Sequence, residues 1–252
     1  MTAAALAFAM LLLVWAGVLL AFAAPLAARW REPVLRQPVL IIESDDWGAG
    51  PPAQADALRR LAASLQRVRD RSGRPAVMTL GVVLEVPDGA RITAAGCTEY
   101  HALTLADARF DAVRAAMMDG IEAGVFAPQL PGQCWHWPPA ALGAAHAAAD
   151  PLARPPAAGP AATEDLPAHL QSRWVDASVL PSRALAAAAI RQAAAAEAAG
   201  YRAIFGDAPQ VAVATTFVWN DAVEAAWAQA GIEAVITPGP PAPSRHARGQ
   251  PR

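Results

Sequence analysis

The stretch Ala76 to Val86 is apolar and β-branched, with no alternation of polar residues along it. A strand of that kind is buried on both faces and needs helices on either side, which limits the folds open to this chain more than anything else in it. Val39 to Ser44 reads the same way. Between them Pro51-Pro52 opens a helix whose Leu58, Leu61, Ala62, Leu65 and Val68 recur at helical spacing, and Ser72-Gly73 closes it. The alternation continues. A weaker strand is expected near Cys97 to Leu105, and Asp107 introduces a helix carrying Phe110, Val113, Met117 and Ile121 on one face, stopped by Gly124. Val125 to Leu130 is the next strand. Ser182 is placed to cap a helix from Ala184 to Ala199, Val211 to Trp219 reads as a strand, and Asp221 with Glu224 forms a capping box for a helix ending at Gly231. Ile232 to Thr237 is the last strand. Strands and helices in this order predict a parallel α/β architecture, either a barrel or an open sheet.

Three segments stand apart by composition. From Thr2 to Ala28 there is no charged side chain, and Ala3 to Ala24 is almost wholly apolar, long enough to cross a bilayer, which takes about 20 residues. An uncleaved anchor is the expectation over a cleaved signal peptide, because no positive n-region precedes the run and it exceeds the usual apolar core of about 7 to 15 residues. Arg29, Arg31 and Arg36 follow it, and the positive-inside rule puts such a cluster on the cytoplasmic side, although the side on which the domain sits stays open. Between Asp150 and Pro167 the chain is rich in Pro and Ala and reads as a long surface loop; Pro238 to Arg252 reads as a disordered tail. The expected divisions are a membrane segment over 1–28, an α/β domain over 29–239 and a tail over 240–252.

Charge and chemistry exclude several functions. The formal net charge is −2 and no basic stripe is present, so nucleic acid is not an expected partner. All basic side chains are Arg. Without Lys there is no Schiff-base enzyme and no phosphate-binding P-loop. The first strand ends in Ser44-Asp45-Asp46-Trp47-Gly48, and carboxylates at the carboxyl end of a parallel strand lie where ligands bind in α/β sheets. Two adjacent aspartates in different surroundings can divide the work of binding a metal and moving a proton; the plainer alternative is that they cap the following helix. Of the two cysteines, Cys97 and Cys134, only Cys134 has a metal-binding neighbour, His136, and both read first as buried thiols.

Three motifs in order, Ser44 to Gly48, Phe126-Ala127-Pro128-Gln129-Leu130-Pro131-Gly132 and Thr215-Thr216-Phe217-Val218-Trp219-Asn220, resemble those of polysaccharide deacetylase-like proteins of the NodB-type glycoside hydrolase/deacetylase superfamily. The resemblance runs from about Val39 to Gly239 and implies a distorted or incomplete (β/α) barrel behind the N-terminal transmembrane helix. It implies hydrolysis of N-acetyl groups on a glycan, in carbohydrate metabolism, with Asp45 as general base and Asp46 as ligand to a divalent, zinc-like metal. Trp47 and Trp219 become candidate sugar-facing aromatics, with core or rim packing the plainer alternative for each. The pattern breaks at the two expected histidine ligands, which are Ala127 and Pro131 here, leaving His136, with Cys134, as a substitute ligand. The elements that supply a later histidine in that family are also missing or replaced. Two expectations therefore stand together: a metal-dependent deacetylase, or an inactive relative without metal that binds a saccharide or a partner in surface-polysaccharide assembly.

Overall fold

A computed structural model describes residues 3–31, 36, 39–132, 134–147, 167–237, 239 and 242–251, with side chains at all of these except 131 and 144–147. The Pro- and Ala-rich loop expected over 150–167 lies almost entirely outside the described residues. The chain forms two units, Met1–Leu40 and Ile41–Arg252.

The first unit is helical. Helix α1 spans Ala3–Ala21 and α2 spans Ala23–Arg31, with Phe22 N–H donating to Val18 at 3.0 Å and Leu26 N–H to Phe22 at 2.9 Å across the junction. None of the 19 residues of α1 is buried, and the helix is long and apolar enough to cross a membrane by length and composition.

The second unit is built on strands β1 (Ile42–Gly48), β2 (Met78–Val83), β3 (Glu85–Pro87), β4 (Ala102–Thr104) and β5 (Phe126–Gly132). Helices α3 (Gln54–Arg67), α4 (Gly89–Ala94), α5 (Asp111–Glu122) and α6 (Pro138–Ala147) are set among and after them. The short strands β6 (Val175–Asp176) and β7 (Arg183–Ala184) precede α7 (Ala187–Phe205), β8 (Val211–Val213), α8 (Asp221–Ala230) and β9 (Ala234–Ile236). Five strands form one parallel sheet in the order β1-β2-β5-β8-β9, while β3-β4 and β6-β7 are antiparallel pairs. The mixed α/β architecture expected from the sequence is present; the sheet is open, and no barrel closes among the described residues.

Side-chain parity explains the layers. Met78, Leu80, Phe126, Leu130 and Ala212 pack with Leu58 of α3, Val113 and Met117 of α5, Ile190 of α7 and Trp227 of α8 in one core. Each fully buried Leu or Ile contributes roughly 1.5–3 kcal/mol. Residues of the other parity, Thr79, Gly81 and Gln129 among them, line a cavity walled by the strands, by Phe217 of the short 3-10 helix Thr215–Phe217 after β8, and by Thr237 after β9. Helices were expected on both faces of Ala76 to Val86; at Thr79 and Gly81 the second face opens onto this cavity instead.

Local chemistry fixes the element ends. Asn220 accepts from the Ala222 and Val223 N–H groups at 3.1 and 3.3 Å, and Gly231 ends α8 at φ 95°. The expected cap of α7 differs. Ser182 instead accepts from the Arg245 N–H at 2.8 Å, and Ala186 stands at the N-cap without a side-chain bond. The stretch 242–251, expected to be disordered, is tied to the domain through Arg245, which is 3% exposed. Its Nε donates to Ser172 Oγ at 2.6 Å and its Nη2 to Thr216 Oγ1 at 2.7 Å.

Candidate functional site

The acidic pair stands on a β-bulge. Ser44 registers with Leu80 and Trp47 with Val82, so Asp45 and Asp46 together face the single Gly81. Asp46 takes φ 68°, in the left-handed region that Asp tolerates better than most residues. The helix that follows does not use either carboxylate as a cap. Gln54 does the fastening: its Oε1 accepts from the Gly48 N–H at 2.9 Å and its Nε2 donates to the Asp46 carbonyl at 3.2 Å. The turn from β1 into α3 is thus pinned, and the two aspartates are held at the strand end.

Gly81 is required by this arrangement. A Cβ there would stand 3.1 Å from both Cα and Cγ of Asp45 and would overlap its Oδ1. The Asp45 carboxylate therefore leans across the sheet face into a cavity of about 260 Å³, beside Glu43, Thr79 and Gln129, with Val213, Phe217 and Ile236 forming an apolar wall. Burial pushes the Asp45 pKa up from the usual carboxylate range. Phe217 is 40% exposed and sits at φ 57° beside Thr216 at φ 51°. Two consecutive non-glycine residues in the left-handed region cost conformational energy, and the buried Arg245 holding Thr216 offsets it.

The other residues singled out in the sequence lie in different surroundings. Trp47 is half-buried against the core and its indole N–H donates to Ser44 Oγ at 3.0 Å. Trp219 is 2% exposed, donates to Glu224 Oε1 at 2.9 Å, and is a core residue with no ring face on the surface. Ala127 stands on the cavity-facing parity of β5, in register with Thr79, and a methyl group binds no metal. Pro131 lies in β5, and its ring nitrogen is part of the peptide bond and cannot bind a metal. His136 is 1% exposed and its Nε2 is 2.9 Å from Tyr100 Oη. Cys134 is buried too, and its thiol donates to the His136 carbonyl at 3.2 Å. Burial first, then the Arg173 charge, pulls the His136 pKa down to about 3; burial first pushes Cys134 up to about 12. Cys134 is thus a neutral thiol. Among the described residues no group of three His, Cys, Asp or Glu side chains is placed to hold a metal ion. A catalytic zinc takes three protein ligands, so the donors present at the acidic pair do not fit one.

Sequence reasoning missed a buried polar assembly beside His136. Arg173 and Glu197, 4% and 0% exposed, form an ion pair at 2.9 Å. Neither position carries a recognisable motif, since the pair is brought together from a loop and a helix 24 residues apart.

No family model matches the chain, and no curated protein matches it significantly. Among solved structures it is similar to the BpsB deacetylase domain from Bordetella bronchiseptica, with 15% sequence identity and a TM-score of 0.41. The match covers 79% of this chain and 64% of that one, so the chain spans less than two thirds of the domain it matches.

Proposed function

We propose that this chain is a membrane-anchored domain of the polysaccharide deacetylase type that binds a saccharide on the open face of its sheet without a hydrolytic metal. The observation that carries it is the row Glu43, Asp45, Thr79 and Gln129 lining one cavity opposite Phe217. Carboxylates, an amide and a hydroxyl supply the acceptors and donors that sugar hydroxyls need, and the partly exposed Phe217 ring supplies an aromatic surface for their C–H groups. The three motifs in order support the family. Ala127 and Pro131, where that family has histidines, and a His136 bonded to Tyr100, support the loss of metal. At a rise of 1.5 Å per residue, α1 reaches about 28 Å, close to the hydrocarbon thickness of a bilayer, which supports the anchor.

A second reading follows from the raised pKa of Asp45, which suits a general base better than an ordinary aspartate. One experiment separates the two. The full-length chain in detergent micelles is titrated calorimetrically with N-acetylglucosamine oligomers, with and without EDTA, while acetate release is followed. Binding unchanged by EDTA, no acetate, and a loss of about tenfold in Phe217→Ala, equivalent to ~1.4 kcal/mol, are expected. Acetate release abolished by EDTA would establish the hydrolase instead, and no binding at all would end both readings.

A further inference from the structure

Phe217 owes its place in the wall of the Asp45 cavity to an unfavourable piece of backbone. Thr216 at φ 51° and Phe217 at φ 57° are both left-handed, and neither is a glycine, for which that conformation is free of cost. Left to local preference, the turn would relax to negative φ and carry the aromatic ring in another direction. The bonds that oppose this come from the stretch 242–251. On the Thr216 side, Arg245 Nη2 donates to Thr216 Oγ1 at 2.7 Å, and that hydroxyl donates in turn to the Gln171 carbonyl at 2.8 Å. On the other side, the Ala242 N–H donates to the Phe217 carbonyl at 3.4 Å, and the Ala242 carbonyl accepts from the Trp219 N–H at 2.9 Å. Val218 and Ala242 thus form a single parallel bridge, and Phe217 is clasped from both flanks.

The clasp is anchored away from the cavity. Arg245 is 3% exposed; its Nε donates to Ser172 Oγ at 2.6 Å and its Nη1 to the Gly249 carbonyl at 2.6 Å. Its backbone exchanges two bonds with Ser182, the N–H donating to Oγ at 2.8 Å and the carbonyl accepting from the Ser182 N–H at 3.0 Å. Ala242 packs on Val175, Ala177 and Val218. Among the described residues, none of 242–251 lines the cavity itself. A planar guanidinium with acceptors around it is a directional anchor, and all of its bonds are lost together if the segment lifts.

We propose that Arg245 is a positioning residue for the ligand cavity: docking of residues 242–251 holds Phe217 in the cavity wall, so ligand affinity and docking of this segment are coupled. The identity of the ligand rests on the saccharide reading; how the wall is held does not. Coupling of this kind is reciprocal, so whatever factor docking adds to affinity, bound ligand adds to docking.

The test uses the full-length chain in detergent micelles. With 4-fluorophenylalanine in place of the six Phe residues, the Phe217 fluorine resonance, assigned through Phe217→Leu, reads the surroundings of the ring without any ligand. It should shift in Arg245→Ala while the other resonances stay in place, and should not move in Arg248→Ala, which removes an exposed charge from the same segment. N-acetylglucosamine oligomers should bind about tenfold more weakly to Arg245→Ala and no more weakly still to Arg245→Ala/Phe217→Ala, since both changes remove one contribution; a merely destabilised fold would give additive losses near a hundredfold. Saturating oligomer should slow tryptic cleavage after Arg245, whose side chain must leave its place to be cut, by the same factor of about ten. Thr216→Ala removes one bond of the clasp and should give the same shift and the same weakening if Arg245→Ala does not fold. Failure of the wild type to bind any oligomer would end the saccharide reading and leave the fluorine measurement to decide the positioning. An unmoved Phe217 resonance in both variants, additive binding losses, or cleavage indifferent to bound oligomer overturns the proposal.

Discussion

Acidification should loosen this fold through a single imidazole. His136 is 1% exposed, and burial with the neighbouring Arg173 charge holds its pKa at about 3, against 6.5 for an unperturbed histidine. The unfolded chain therefore takes up a proton below pH 6.5 that the folded chain refuses until about pH 3. Stability from this group is complete above 6.5 and is lost as the pH falls toward 3. Proton linkage gives a loss of about 2 kcal/mol between pH 7.5 and 5.0, and about 4 kcal/mol by pH 3. Other groups titrate over the same range, so the comparison is with His136→Gln, which has nothing to protonate there. Urea unfolding of both proteins, full length in the same detergent, at pH 7.5 and 5.0 measures the difference. The wild type should lose about 2 kcal/mol more than the variant over that interval. Parallel pH dependences would show that His136 is not buried as a neutral ring.

Gly81→Ala should destabilise by about 1–3 kcal/mol in urea unfolding, as overpacking does, and Asp45→Ala in the same chain should recover part of it. Independence of the two substitutions would mean that Asp45 does not lean on Gly81. Arg173→Met and Glu197→Leu should each cost about 3–5 kcal/mol by thermal or chemical unfolding, with the double substitution costing less than either alone, because a single change strands a buried charge. Additive losses would contradict a buried pair. Arg245→Ala removes charged hydrogen bonds worth about 1.5–3 kcal/mol each at most, and should also make the 242–251 segment a target for limited proteolysis. Resistance to protease in that variant would mean the segment is held elsewhere.

The parallel framework was legible because most strands lie in apolar runs and helical spacing marks the segments between them; two bounds moved, since the helix expected to end at Ala199 runs on to Phe205, and the first strand is Ile42–Gly48, with Val39, Leu40 and Ile41 exposed before it. Leu58 and Ala62, or Val113 and Met117, announce their burial by spacing alone. Long-range polar contacts were not legible. Ser182 looks like a helix cap, yet its oxygen serves Arg245, 63 residues away. The terminal stretch looks disordered by composition, and one arginine reverses that by finding Ser172, Gln171 and Thr216 together. At the site, the sequence located the acidic pair and the break at Ala127, while Trp219 reads equally well as ligand platform or core. Only its bond to Glu224 and its depth decide for the core.

The bulge at the acidic pair sets the phase of everything after it. Side chains on a strand alternate, so an odd insertion is the one way that Ser44 and Trp47, three positions apart, can share a face and bond to each other. Remove either aspartate and Trp47 changes sides, its indole turning into the cavity while Gly48 leaves the close approach to Val83 that only glycine allows. The position thus tolerates a change of letter far better than a change of count. Asparagine or serine at Asp45 alters chemistry and leaves the frame intact, whereas a deletion shifts the strand out of step with its neighbour. Two residues are needed there by geometry before any question of their acidity arises.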